Sequence, residues 1–539
     1  MIDWRWRMLV PALLALAACG EIGSVQGDAG RDTSGYDTET VQADPSAPAE
    51  LPFVFTREPA GAPVTDEERA AFTDRMAAFY VEQDYLGWLL RMSHGFHGAA
   101  DPRRDFKLWW EETHAVKAGA TVTIVHDSLP EHGAHNSLVA NAKILSAAAD
   151  AYRFTGDPVA ATLTAQYCQG ISSSMLGMVY DEEDPLPHLM ARSVVMPNHE
   201  YTTHDGYEKI VDASNWFFSY DRWNCSRFLY AQNPYWGPVW VTNTRSKDDL
   251  GYLYFAAAAL LDLGAEEGAC TVRDACAETL ALVRAFARDI VDNGYEIRTK
   301  DANGEVYTPS NTTGPPEART VDLASFVFWD VLFPGSECNH MQATELMADP
   351  ASVTTVCPPF GGHPDYEQLA IENNPPNAHV LRFFHMSVVR LALLAGDLGR
   401  AERALEGLEE RFERDYALDR TDVGMAEARW FGEMATNRLA AAVVGYPLTA
   451  DEVREIHALF LYAAKSYAAW PLWNLWDEAV PDGEHRWRPP HAVKEDGTRR
   501  WWVPPYDMGL LFTYCASPFK NPAGEPPIDC DRLRAALAE

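Results

Sequence analysis

The sequence predicts a mainly all-α protein in which helices come in pairs. Stretches of helical periodicity follow one another across short breakers. Within each pair the first helix is apolar or small on nearly every side, and the second is amphipathic. Beyond residue 50 nothing reads as a linker, so residues 51–539 are expected to form one large domain. With 539 residues and 47% hydrophobic content, the chain can bury a sizeable core.

The elements follow in chain order. Arg5 and Arg7 precede an apolar run from Met8 to Ala18, which ends in Leu16-Ala17-Ala18-Cys19. A basic start, a short apolar stretch and small residues describe a secretory signal over residues 1–18, too short to span a bilayer as a stable helix. The tetrad resembles the lipobox of bacterial lipoproteins. That resemblance implies cleavage before Cys19 and diacylation there. Because Gly20 rather than Asp follows, it also implies an outer-membrane or cell-surface location, with the body on the periplasmic or extracellular face. A plain signal peptide with an incidental cysteine is the alternative. Residues 19–50 are rich in Gly, Ser, Thr, Asp and Ala with little apolar content. Such a segment is expected to stay disordered and act as a tether of roughly 30 Å.

Four helix pairs are legible after it. The stretch from Ser137 to Phe154 turns at "TGDP" into a second helix from Val159. Leu250 to Gly264 precedes a helix running from Val272 to Gly294. Ala378 to Leu394 turns at "AGD" into Leu398 onward, and Ala426 to Gly445 turns at "YPLT" into Ala450 onward. Gly, Pro and Asp at each turn stop one helix and start the next. Tyr252 to Leu263 suits a helix buried nearly all round. By contrast Leu405, Leu408 and Phe412 form one face of their helix, opposite Glu402, Glu406, Glu409 and Glu413. Between these helices, Asn303-Gly304 within "GYEIRTKDANGEVYT" predicts a small β-hairpin. Asp301, Asn303 and Glu305 also have calcium-loop spacing, but no acidic residue follows where an EF-hand needs it.

The formal net charge of −34 excludes nucleic acid as a natural partner, because such a surface repels phosphate. Cys19 aside, eight cysteines remain, an even number suited to an oxidising compartment. Short loops suggest Cys270–Cys276, Cys338–Cys357 and Cys515–Cys530, leaving Cys168 with Cys225.

Chemistry concentrates in a few stretches. "TNTRSKDDLGYLYF" sets Arg245, Lys247, Asp248 and Asp249 against an apolar helix. Ser246 and Asp249 form a near capping box, which explains one acid but not the basic pair. Upstream, "NWFFSYDRWNCSRFLYAQNPYWGPVW" carries Trp223, Tyr235, Trp236 and Trp240 as candidate sugar-stacking faces, with Trp216, Tyr220 and Tyr230 beside them. Further aromatic clusters follow at Trp470, Trp473 and Trp476, and at Trp501, Trp502 and Tyr506. Nine of the sixteen His lie between His94 and His204. His94 and His97 form one His-x-x-His, and His132 and His135 another. Asp205, Tyr207 and Glu208 follow His204. No cofactor is assigned, although this region admits a divalent metal. His135-Asn136, just before a buried helix, is a candidate base and substrate contact.

A buried helix paired repeatedly with a half-exposed one implies two concentric layers. The pattern from Ser137 to Tyr467 resembles the α/α toroid of many carbohydrate-active enzymes, rather than an open helical solenoid. The resemblance is one of architecture. It implies catalytic groups at the starts of inner helices and a poly- or oligosaccharide substrate. A glycoside hydrolase would pair Asp249 or Asp248 with Asp205 or Glu208. A polysaccharide lyase would use His135 or Tyr207 as base and Arg245 as cation. The alternatives are a non-catalytic glycan-binding surface lipoprotein and a metal-dependent hydrolase built on the His-rich region.

Overall fold

The computed structural model describes residues 61–82, 111–118, 121–128, 137–191, 193–195, 227–235, 237–243, 248–263, 270–307, 336–357, 378–419, 427–468, 509–517, 519–520 and 524–538. Residues 1–60, which include the segments expected to be a signal and a tether and the residue Cys19, lie outside that set. The described residues are mostly helical. The helices are α1 (Asp66–Glu82), α2 (Ser137–Thr155), α3 (Pro158–Leu176), α4 (Asp248–Leu263), α5 (Cys270–Asp292), α6 (Ser336–Ala348), α7 (Ala378–Leu394), α8 (Leu398–Asp419), α9 (Glu427–Val443), α10 (Ala450–Ala468), α11 (Leu510–Ala516) and α12 (Cys530–Ala538). Among them no helix is long and apolar enough to cross a membrane.

The predicted turns carry the expected local chemistry. After α2, Gly156 adopts φ +69° and Asp157 accepts the Val159 N–H at 2.7 Å, so Pro158 opens α3 without losing a needed donor. After α7, Gly396 sits at φ +76° and Asp397 accepts the Arg400 N–H at 3.1 Å. Before α10, Thr449 and Glu452 exchange bonds as a capping box: the Thr449 N–H reaches the Glu452 carboxylate at 2.7 Å, and the Glu452 N–H reaches the Thr449 hydroxyl at 3.3 Å. Thr65 and Glu68 repeat the device at α1.

Burial separates two kinds of helix. From Asp249 to Leu260, α4 is enclosed on every side, as is α7 from Phe383 to Leu393. In α8, by contrast, Ala401, Ala404, Leu405 and Leu408 are buried while Glu402 and Glu406 are not. Packing neighbours run from α2 to α4, α7, α9 and α11, and α11 returns to α2. The half-exposed helices α5, α8 and α10 lie against these, as does α3, which departs from the pattern in being buried along nearly its whole length.

Three enclosed helices are bound by charge. Arg390 on α7 has no solvent exposure. Its Nε donates to Asp262 of α4 at 2.9 Å, and its Nη2 donates to Asp150 of α2 at 3.1 Å. Arg153 approaches Asp262 at 3.5 Å, so two cations face two carboxylates. Burial pushes the Asp150 carboxyl upward against the pull of Arg390. Burial opposes the charge on Arg390 as well, but Asp150 and Asp262 outweigh it and hold the guanidinium protonated. Nearer the helix starts, the Tyr252 ring of α4 and the Phe383 ring of α7 meet at a tilt, with centroids 4.3 Å apart. Lys143 of α2 lies 4.8 Å over the Tyr252 ring. Both layers use early residues together and late residues together, so α2, α4 and α7 run parallel with their N-termini at one end.

The predicted hairpin is present as β6 (Thr299–Lys300) and β7 (Val306–Tyr307), with Gly304 at φ +79° in its turn. Five further strands were not expected. A hairpin pairs β1 (Glu111–Ala118) with β2 (Thr121–Ser128). A three-stranded antiparallel sheet holds β3 (Ser193–Val195), β5 (Val239–Thr242) and β4 (Arg227–Tyr230) in that order.

The cysteines differ in part from expectation. Cys515 and Cys530 are bonded, with Cα atoms 5.4 Å apart, and Cys357 is in a disulfide. The Cys338 side chain and Cys225 lie outside the described set. Cys168 and Cys276 are free thiols facing each other, in place of the predicted pairs with Cys225 and Cys270. Cys270 and Cys276 share one helix, where six residues span about 9 Å, more than a disulfide bridges.

Two outcomes follow. Arg390→Met strands two buried carboxylates and lowers unfolding free energy by about 3–5 kcal/mol; adding Asp150→Asn and Asp262→Asn recovers part of the loss in urea titrations. His457 on α10 stacks on Phe72 with centroids 3.9 Å apart and reaches the Pro527 carbonyl. Burial lowers its pKa from 6.5 to about 4. The unfolded ring takes up a proton that the folded ring refuses, so its contribution is complete above about pH 6.5 and is lost as pH falls toward 4. The loss is about 3 kcal/mol. In His457→Gln, melting temperature should vary less across that window.

Candidate functional site

The shared N-terminal end of α2, α4 and α7 is where the described functional side chains gather. Asp249 lies in the first turn of α4, with no solvent exposure. Tyr252 is three residues on, hence on the same face. Its ring carries Lys143, which is half-buried and also lies 6.0 Å from the Phe383 ring. An ammonium on a sheltered aromatic floor is held by the negative ring faces. The three helix starts add the positive ends of their dipoles.

Gly251 explains how α4 and α7 come so close. A Cβ there would lie 3.0 Å from the Phe384 ring. The freed space lets the Ser387 hydroxyl of α7 donate to the Gly251 carbonyl at 2.9 Å. Glycine inside a helix costs about 1 kcal/mol against alanine, so its place here reflects this contact.

The aromatic insertion is stitched to the same end by asparagines. Asn233 Nδ2 donates to the carbonyls of Leu176 and Val179, both at 2.8 Å, capping the end of α3. Its Oδ1 accepts the Tyr235 N–H at 2.9 Å. Asn243, after β5, donates to the Lys300 carbonyl at 2.9 Å and to the Tyr307 hydroxyl at 2.8 Å. The Tyr230 hydroxyl donates to the Asp301 carbonyl at 2.7 Å. Lys300 is itself fully buried and meets Asp184 at 2.5 Å and the carbonyls of Met178 and Leu186. Burial lowers its pKa, and Asp184 only partly offsets this. Lys300 thus holds the sheet, the hairpin and residues 178–186 as one unit beside the start of α4.

Of the residues singled out in the sequence, Asp249, Tyr230 and Tyr235 are placed with their side chains, Tyr230 fully buried and Tyr235 half-buried against the core. Asp248 opens α4 and Trp240 lies in β5, but their side chains fall outside the described set. Arg245, Lys247, His135, Asn136, Asp205, Tyr207, Glu208, Trp223 and Trp236 lie outside it altogether. Of the His-rich region, His188 is buried, 3.6 Å from Asp289. Burial pushes the Asp289 carboxyl up, but His188 and Arg298 outweigh it and hold it low. Among the described residues, no group of three His, Cys, Asp or Glu is placed to hold a metal. Lys143 and Tyr252 were not foreseen. The available signal was a lone lysine in the otherwise small, apolar run of α2.

Comparison with family models, curated proteins and solved structures gives no match for this chain.

Gly251→Ala should lower stability by about 1–3 kcal/mol, because its Cβ meets the Phe384 ring. Phe384→Leu in the same chain should restore part of that in thermal melts, which a mere loss of helix flexibility would not explain.

Proposed function

We propose that this chain is a lipid-anchored, exported carbohydrate-active enzyme that acts on a poly- or oligosaccharide by side-chain acid/base chemistry. The observation that carries the reading is the convergence at one end of three parallel, enclosed helices. Asp249 in the first turn of α4, the Lys143 ammonium on its aromatic floor and the asparagine-anchored residues 230–243 all belong to that end. The cycle of neighbours from α2 round to α11 and back supports the α/α-toroid architecture, in which such an end is a binding funnel. Fold analogy alone would be a weak warrant, so the weight rests on the residues.

Two chemistries use the same rim. Hydrolysis pairs one carboxylate, Asp249 or Asp248, with Asp205 or Glu208 across the glycosidic bond. The enclosure of Asp249 restricts it to a sugar that reaches the first turn of α4. Elimination takes a proton with His135 or Tyr207 and answers the developing negative charge with Arg245. Lys143 and the positive helix ends favour a substrate carrying carboxylates. Trp223, Tyr235, Trp236 and Trp240 supply stacking area, and Lys247 and Asn136 supply polar contacts.

The test is a polysaccharide panel read for new reducing ends and for unsaturated-uronate absorbance, with and without chelator. Turnover is expected, lost in Asp249→Asn while the melting temperature holds. Full turnover by the Asp248→Asn/Asp249→Asn double variant would transfer the chemistry to His135. Saturable glycan binding without product would leave a glycan-binding lipoprotein, and loss of turnover with chelator would favour the metal-dependent reading.

A further inference from the structure

Two thiols 108 residues apart in sequence meet inside the fold. Cys168 on α3 and Cys276 on α5 hold their sulfur atoms 3.5 Å apart, within S–H hydrogen-bond reach, and both are buried. One turn further along both helices, the hydroxyls of Ser172 and Thr279 lie 2.9 Å apart. Thr279 also donates to the Cys168 carbonyl at 2.8 Å. These bonds set α3 and α5 side by side, parallel and in register. A disulfide needs about 2.05 Å between sulfurs, and side-chain rotation at the two cysteines supplies the remaining distance of roughly 1.5 Å.

We propose that Cys168 and Cys276 are a modification site, oxidised to a disulfide that cross-links α3 and α5 in the exported protein. The inference rests on the export proposed above. The same chain already carries the Cys515–Cys530 bond and a disulfide at Cys357. The oxidant is a disulfide, either that of a thiol-oxidising protein or a small molecule such as oxidised glutathione. One cysteine thiolate attacks a sulfur of that acceptor, forming a mixed disulfide and releasing one thiol. The second cysteine attacks the cysteine sulfur of the mixed disulfide and releases the other thiol. In balance, the two cysteines lose two electrons and two protons, and the acceptor is reduced to two thiols.

Timing follows from burial. Burial raises the Cys168 thiol well above its ordinary pKa, and the neighbouring Cys276 adds to this. Thiolate is the attacking species, so the finished core resists the exchange in both directions. The bond therefore forms while α3 and α5 are still packing, and afterwards it is a permanent clamp rather than a reversible sensor. It closes a loop containing β3, β4, β5 and the whole of α4, which includes Asp249.

The test maps thiols in two samples of the full chain: one isolated after export, and one reduced, then refolded in a glutathione redox buffer. Free thiols are alkylated in denaturant, and the unreduced digest is read by mass spectrometry. A Cys168 peptide linked to a Cys276 peptide is expected in both samples, separating on reduction. Cys276→Ser should leave Cys168 alkylated; should that variant fail to fold, the wild-type map decides alone. Alkylation of both cysteines while Cys515–Cys530 stays linked overturns the proposal, as does a Cys168–Cys225 link. If Cys515 and Cys530 are also alkylated in the exported sample, the export reading fails, and the refolded sample then decides the pairing.

Discussion

Arg390 sits between Asp150 and Asp262, with Arg390 and Asp150 fully enclosed and Asp262 almost so, and the arrangement of α2, α4 and α7 depends on that contact. A guanidinium cannot shed its proton, so burying it requires carboxylates from neighbouring helices. Those carboxylates sit in the last two turns of α2 and α4, and Arg390 sits late in α7. Only parallel helices in register satisfy it. Once that register is set, Lys143, Tyr252 and Phe383 meet roughly 10–15 Å away along the axes, and Gly251 lets α4 and α7 close upon each other. The placement of Asp249 near the shared end is a consequence of the same register.

Much of this architecture is legible in the sequence because helix periodicity and turn chemistry are local. Gly156-Asp157-Pro158 and Gly396-Asp397 stop and restart helices by interactions that span a few residues, and the eight paired helices appear where the pattern puts them. The short helices α6, α11 and α12 carry little periodic signal. The three-stranded sheet is not legible in the sequence, since Asn233, Pro234, Gly237 and Pro238 interrupt the run between β4 and β5. Its strands are held by long-range contacts, such as Asn233 with α3 and Asn243 with the hairpin. The cysteines misled for the same reason. Proximity in sequence favours short loops, yet helix packing brought Cys168 of α3 to Cys276 of α5, across the whole of α4.

The candidate site was legible in proportion to how far a single residue departs from its surroundings. Asp249 was found because acids crowd the start of an apolar helix, and the structure places it in that first turn. Lys143, Asp150, Asp262 and Arg390 each interrupt a stretch of helix whose neighbouring residues are small or apolar. Such a buried charge finds its main partner on a neighbouring helix, or on a ring face. Sequence alone does not name the partner, since the pairs are set by tertiary register.

The direction of the helices also divides the labour of the chain. Where α2, α7 and α9 end, the return is short: residues 156–157, 395–397 and 444–449. Where enclosed helices begin, the chain arrives after long passages, residues 83–136, 177–247 and 469–509 among them. None of the residues of the Arg390 contact or of the Lys143–Tyr252–Phe383 contact lies in those passages. Among the described residues at the other end, the constraint falls on those that dock the insertion, such as Val179, Leu189, Tyr230, Val239 and Val241, all of them buried. Proteins built on this scaffold would inherit the same interior and diverge in what they recognise.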